Sequence, residues 1–222
     1  MIEIIYEDEH TIALNKRPGV VVFSDTEESL AEKVSSLYPS MKNLGEERHG
    51  AVHRLDRDTS GVVVFAKDKK TLLFLQEQFL LRKAKKKYIA LVFKKVKKDE
   101  GEINIPIGRS PKKRTKQRAG QGREAVTFFR TIKRYEKHSL LEVFPQSGRK
   151  HQIRCHLAHI GHPVAGDKFY GFKDQVDPQG LQRIFLHAQS LEIETPKGKK
   201  KFKAELPEDL KEVINKLEKD VS

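Results

Sequence analysis

"REAVTFFRTIKRYEKHSLLEVFPQSGRKHQIRCHLAHIG" (residues 123–161) changes its hydrophobic period part-way along. "REAVTFFRTIKRY" and "SLLEVFPQ" carry the β-branched and aromatic residues of two strands. From Gly148 the pattern changes. Ile153, Leu157 and Ile160 fall at i, i+4 and i+7, which predicts a helix starting after Gly148. Gly161-His162-Pro163 should end it. Two strands close in sequence, then a helix, argue for an antiparallel sheet with a helix laid against it.

The rest of the chain fits that scheme. "IEIIYEDEHTIALNKRPGVVVF" reads as short strands broken at Asp8-Glu9 and at Pro18-Gly19. "SLAEKVSSLYP" is a short helix stopped by Pro39. "GVVVFAK" (61–67) is a buried strand opening at Gly61, where a turn needs a permissive backbone. In "DKKTLLFLQEQFLLRK", Leu72, Leu75, Phe79 and Arg82 share a helical face. "KKYIALVFKKV" (86–96) alternates in part and is a strand. "IFLHAQSLEIETPKG" and "KKFKAELP" form a hairpin turned at Pro196-Lys197-Gly198, and "EDLKEVINKLEK" closes the chain as an amphipathic helix. No linker or repeat is visible. The fold class expected is α+β, in one domain over 1–222, with a mainly antiparallel mixed sheet and flanking helices.

Charge narrows the function. The chain of 222 residues has 44 Lys and Arg against 31 Asp and Glu. Residues 82–118 hold 15 basic and three acidic residues, a net +12, leaving only +1 for the remainder. A field so localised favours a polyanion such as nucleic acid. The segment lacks the apolar stripe of a membrane-surface helix, and no apolar run approaches the 18 residues of a transmembrane span. "MIEIIYEDEH" is acidic, unlike a secretion signal, and the one cysteine, Cys155, fits a reducing compartment, so a cytoplasmic location is expected. Cys155 itself reads as a small buried apolar residue. Within the basic region, "GRSPKKRTKQRAGQGR" (108–123) has no apolar residue beyond Ala119, which predicts a mobile basic loop that orders on a partner.

Two constellations could bear chemistry. His151, His156, His159 and His162 are crowded, but they lack an HExxH spacing and a second cysteine, so no metal site is assigned to them. "HRLDRDTSG" (53–61) places Asp56 and Asp58 as a D-x-D pair. Their basic neighbours Arg54, Arg57 and Lys67 oppose a divalent cation. No Walker loop, Rossmann fingerprint or G-x-S-x-G is present. Asp56 is left as a metal-free acid, base or nucleophile, or as a structural ion pair.

Three stretches, "HRLDRDTSG" (53–61), "KKYIALV" (86–92) and "GRKHQIRCHLAHIGHPVAGDKFYG" (148–171), closely resemble the RluA family of RNA pseudouridine synthases. "YEDEHTIALNKRPGVVV" (6–22) resembles its opening strands and "LHAQSLEIETPKGKKKFKAELPEDL" (186–210) its ending, so the resemblance covers nearly the whole chain. It implies a catalytic domain with a central cleft. Uridine in RNA is isomerised there to pseudouridine without cofactor or metal. It also implies roles for particular residues. Asp56 matches the catalytic aspartate, acting on ribose C1′, through a glycal, or on uracil C6. Tyr88 matches the tyrosine that stacks on the flipped uracil and can take the C5 proton. Arg154 matches the basic partner that pairs with the aspartate. Arg54 matches the arginine that enters the space vacated by the base. His53, Arg149, His151 and Gln152 are expected to support the loop or contact RNA. Lys112, Lys113, Arg114 and Lys116 are expected to bind its phosphates.

The chain starts at the "YED" strands, so the N-terminal S4-type domain of many members is expected to be absent. "PIGRSPKKRTKQR" (106–118) resembles the branch acting on large-subunit ribosomal RNA, whereas the compact length resembles stand-alone members, some of which modify transfer RNA. Cys155 stands where the family usually has a branched apolar residue. The expectation is a monomeric, membrane-free enzyme acting on ribosomal or transfer RNA. The rivals are a non-catalytic RNA-binding or ribosome-assembly protein on the same fold, and a metal nuclease using Asp56 and Asp58.

Overall fold

A computed structural model describes residues 2–111 and 115–219. In chain order the elements are β1 (Glu3–Glu7), β2 (Thr11–Lys16), α1 (Leu30–Leu37), β3 (Ser60–Ala66), α2 (Lys69–Leu80), β4 (Lys85–Phe93), β5 (Glu100–Asn104), β6 (Ile107–Arg109), β7 (Gln117–Ala119), β8 (Val126–Arg134), β9 (His138–Pro145), α3 (Gln152–His159), β10 (Leu186–Thr195), β11 (Gly198–Lys203) and α4 (Glu208–Lys219). Every strand pairing whose register is resolved is antiparallel. The α+β class read from the sequence is the one observed.

The chain clusters into two compact units. The first takes the residues up to Lys86 and returns for Ala188–Glu205. Its strands run in the order β1-β2-β3-β10, with β11 on β10. All seven residues of β3 are buried, which explains the unbroken apolar run "GVVVFA". Val62 and Val64 project to one face, where Leu72 and Leu75 of α2 and Phe202 of β11 complete a core. The helices begin where polar side chains satisfy their first amides. The Ser29 hydroxyl accepts from the Glu32 amide at 3.2 Å, and the Glu32 carboxylate accepts from the Ser29 amide at 2.7 Å. Asp68 accepts from the Thr71 amide at 2.8 Å to start α2.

The second unit comprises Lys87–His187 and the closing segment from Leu206. Its sheet order is β4-β9-β8-β5, and β6 and β7 pair apart from it. Alternation along β4 feeds two cores. Ala90 and Val92 pack with Ile153 and Leu157 of α3, whereas Ile89 and Leu91 pack with Leu210 and Val213 of α4. Burying each of those large side chains contributes about 1.5–3 kcal/mol. A helix on each face is why β4 shows only part of the apolar–polar alternation of a half-exposed strand.

Several expectations change. "GVVVF" (19–23) is irregular rather than a strand. Its carbonyls are committed elsewhere: Val21 O accepts from the Leu30 amide and Val22 O from the Ala31 amide, both at 2.9 Å, at the start of α1. Arg82 leaves the helical face, because α2 ends at Leu80 and Arg82 adopts φ +58°. The α3 helix begins at Gln152, not directly after Gly148, because His151 is left-handed at φ +55°. The segment 108–123, expected to be loop, contains β7 and the last two residues of β6. Backbone pairing of Ile107 with Ala119 and Arg109 with Gln117 needs no apolar side chains. Lys112, Lys113 and Arg114 lie outside the described residues. The strand β5 was not expected, since "EGEIN" buries only Ile103.

Candidate active site

Asp56 and Arg54 belong to the first unit, Tyr88 and Arg154 to the second. The Asp56 segment is held by its backbone. The Thr59 amide donates to Asp56 O at 3.1 Å, closing a tight turn, and Gly19 N donates to Arg57 O at 3.0 Å. Beneath it lies Lys16, only 1% exposed. Its ammonium donates to the carbonyls of Arg17 (2.9 Å), Val20 (2.7 Å) and Arg57 (2.8 Å). Three donors meet three acceptors, and the loop after β2 is tied to the Asp56 turn. Gly61, the second residue of β3, adopts φ +116°; a Cβ there would sit 2.2 Å from Ala188 O of β10. Only glycine permits that approach.

His53 fixes the other end. Its Nε2 accepts from the Val64 amide at 3.2 Å, and the ring stacks on Phe79 with centroids 4.7 Å apart. Accepting at Nε2 requires the neutral ring. Burial, and then the positive charge of Lys86, push the imidazole pKa down to about 3. His53 therefore shapes the loop from inside its unit. Arg54 is exposed, with its guanidinium 5.0 Å over Phe23; Arg48 lies over the same ring at 5.2 Å. Arg57 turns away to an ion pair with Glu27.

In the second unit, Tyr88 stands on β4 opposite Val143, half-buried against the core that contains Ile153. Arg154, on α3, is buried and grips Asp167 with two bonds. Nε donates to Oδ2 at 2.8 Å and Nη2 to Oδ1 at 2.9 Å. The Asp167 side chain is fully buried and also accepts from the amides of Phe169 (2.9 Å) and Tyr170 (3.1 Å). The guanidinium lies 5.5 Å from the Phe169 ring and 5.3 Å from that of Tyr170. The resemblance implies Asp56 as the partner of Arg154; inside its own unit the arginine is oriented by Asp167. Sequence reasoning missed Asp167. The glycine before it was the available signal: Gly166 adopts φ +74° and has no room for a Cβ against Arg183 O.

The remaining sequence candidates are structurally engaged. Gln152 is buried with its amide fully used: it accepts from Ser147 Oγ (2.7 Å) and Arg149 N (3.0 Å), and donates to Val126 O and Thr127 Oγ1, both at 3.0 Å. His151 Nδ1 meets Tyr170 Oη at 3.0 Å, and that oxygen accepts from Gln117 N at 2.8 Å. Burial pushes the Tyr170 phenol up to about 12. Lys116 donates to Phe169 O, and Arg149 Nε donates to Glu124 O at 3.1 Å. His156 is buried between Thr127 Oγ1 (2.9 Å) and Ile105 O (2.8 Å), and burial lowers its pKa. Among the described residues, no three His, Cys, Asp or Glu side chains are grouped to hold a metal, and no helix is long and apolar enough to cross a membrane. Burial raises the Cys155 thiol to about 11, which leaves it a packing residue.

Residues 10–159 match the family described as RNA pseudouridylate synthase. The chain belongs to that family. A relative from Aquifex aeolicus, named as an uncharacterized RNA pseudouridine synthase, is 43% identical over 98% of this chain and 73% of its own. Ribosomal large subunit pseudouridine synthase D of Xylella fastidiosa is 36% identical over 99% of this chain and 70% of its own. The solved structure of human RNA pseudouridylate synthase domain containing 1 shares the fold, with a TM-score of 0.79 at 24% identity over 93% of this chain and 84% of that one. The chain is thus an RNA pseudouridine synthase, an isomerase acting on RNA.

Proposed function

We propose that this synthase isomerises one or more uridines of structured RNA, with large-subunit ribosomal RNA as the substrate and Asp56 as the catalytic carboxylate. The reaction is internally balanced. The C1′–N1 bond breaks, a C1′–C5 bond forms, the C5 proton leaves and N1 gains one. Asp56 assists glycosidic cleavage, Tyr88 stacks on the uracil and receives the C5 proton, Arg154 supplies the site's fixed cation, and Arg54 enters the stack left by the extruded base.

The anchoring of the Asp56 turn supports this reading most strongly. Lys16 donates to the carbonyls of Arg17, Val20 and Arg57, and Gly61 closes on β10. A surface salt bridge needs no such framework, whereas a carboxylate that must meet one ribose does. The name of the Xylella relative supports the ribosomal target, as does the basic segment 82–118. The cytoplasm, where ribosomal RNA is available to such an enzyme, is the proposed location.

The target is tested by incubating the chain with unmodified ribosomal and transfer RNA transcripts, then mapping pseudouridine by carbodiimide-dependent reverse-transcription stops. New stops confined to large-subunit RNA are expected. Stops in transfer RNA alone would overturn the ribosomal target, and none in either would overturn the catalytic reading.

A further inference from the structure

A cleft of about 290 Å³ lies in the second unit, lined by Ile107, Gly108, Arg109, Gln117, Gly122, Arg123, Gly148, Arg149 and Lys150. Four of these nine residues are cationic and none is acidic. The β6–β7 pair and the segment just before α3 bring them together. A water's share of liquid volume is about 30 Å³, so the cleft has room for roughly ten waters. That is ample for a phosphate with part of its ribose.

The floor is built from backbone. Ile107 and Arg123 exchange two hydrogen bonds of 2.9 Å, one amide donating each way. This bridge presses Gly122 onto Gly108: a Cβ on Gly122 would lie 2.4 Å from Ile107 O and 2.5 Å from Gly108 Cα. Gly122 is left-handed at φ +107°. Two glycines at the contact let charged side chains surround a space that no Cβ fills. Arg149 donates through Nε to the Glu124 carbonyl at 3.1 Å, which positions the head of the side chain. A guanidinium presents a planar fork matched to two phosphate oxygens.

The geometry points to a phosphodiester subsite here, with Arg109, Arg123, Arg149 and Lys150 gripping the RNA backbone. It rests on the reading that the substrate is RNA, and adds the place where one strand is held. No base is read in this cleft. The lining offers charge and backbone, so it positions the RNA without selecting a sequence.

The test measures binding of a labelled ribosomal RNA transcript against salt. The wild type is compared with Arg109→Gln/Arg123→Gln/Lys150→Gln, three exposed positions, and with a control of equal charge loss on α4, Lys211→Gln/Lys216→Gln/Lys219→Gln. The log–log salt slope should fall by about 1 or more in the cleft variant and stay at the wild-type value in the control. Equal slopes in all three proteins would overturn the subsite. Inorganic phosphate is titrated in parallel by NMR. If it shifts the wild type and not the cleft variant while the RNA slopes match, the cleft holds a free anion and the RNA assignment falls. Tritium release from C5-labelled RNA separates the two readings: a wild type that binds RNA without releasing tritium contradicts the isomerase reading and leaves the subsite standing.

Discussion

Arg154 and Asp167 form a buried, two-bond ion pair 13 residues apart, with the guanidinium also lying over Phe169 and Tyr170. The arginine proposed for catalysis is thereby set in one orientation by a carboxylate that has no exposure of its own. Removing it leaves that carboxylate buried without its cation. Arg154→Ala should cost about 3–5 kcal/mol in urea denaturation, because an unpaired buried charge is worth that much. An unchanged midpoint would show that Asp167 is held by its amides alone.

Lys16 is the hidden brace of the Asp56 turn. Lys16→Met removes the donor shared by three carbonyls but relieves the burial of a charge, so the net loss should be about 1–3 kcal/mol. The sharper readout is local. The Thr59 amide, which donates to Asp56 O, should exchange its hydrogen faster in the variant. Equal exchange would mean the turn stands without Lys16.

His53 predicts a pH effect. Its folded pKa of about 3 lies below the ordinary imidazole value of 6.5, so the unfolded chain binds the proton more readily. Its contribution to stability is complete above pH 6.5 and declines as pH falls toward 3. His53→Gln should flatten the decline in stability between pH 6.5 and pH 5. Identical slopes for wild type and variant would contradict a buried neutral ring.

Gly61→Ala should destabilise through both conformation and contact. The φ of +116° alone costs an L-residue about 1–3 kcal/mol, and the new Cβ would meet Ala188 O at 2.2 Å. A thermal midpoint equal to the wild type would show that the β3–β10 approach relaxes freely.

Much of this was legible in the sequence because it is local. The period change around Gly148, the stop of α1 before Pro39 and the Pro196-Lys197-Gly198 turn each depend on residues within one or two helical turns. What escaped depends on distant partners. "GVVVF" has strand composition, yet its carbonyls serve α1. Charge concealed β5 and the β6–β7 pair, whose ladders are backbone interactions. The two-unit division leaves no mark in composition, because the first unit is completed by Ala188–Glu205, a stretch that interrupts the second between His187 and Leu206. Of the candidate residues, two separate motifs carry Asp56 and Arg154, but Lys16 and Asp167 act through tertiary bonds that no spacing announces.

The central claim is that Asp56 is the catalytic carboxylate. It is tested most directly by tritium release from ribosomal RNA labelled at uracil C5, comparing the wild type with Asp56→Asn, with RNA binding measured alongside. The wild type should release tritium. Asp56→Asn should bind RNA with similar affinity and release none above background. Equal release from the two proteins would contradict the account.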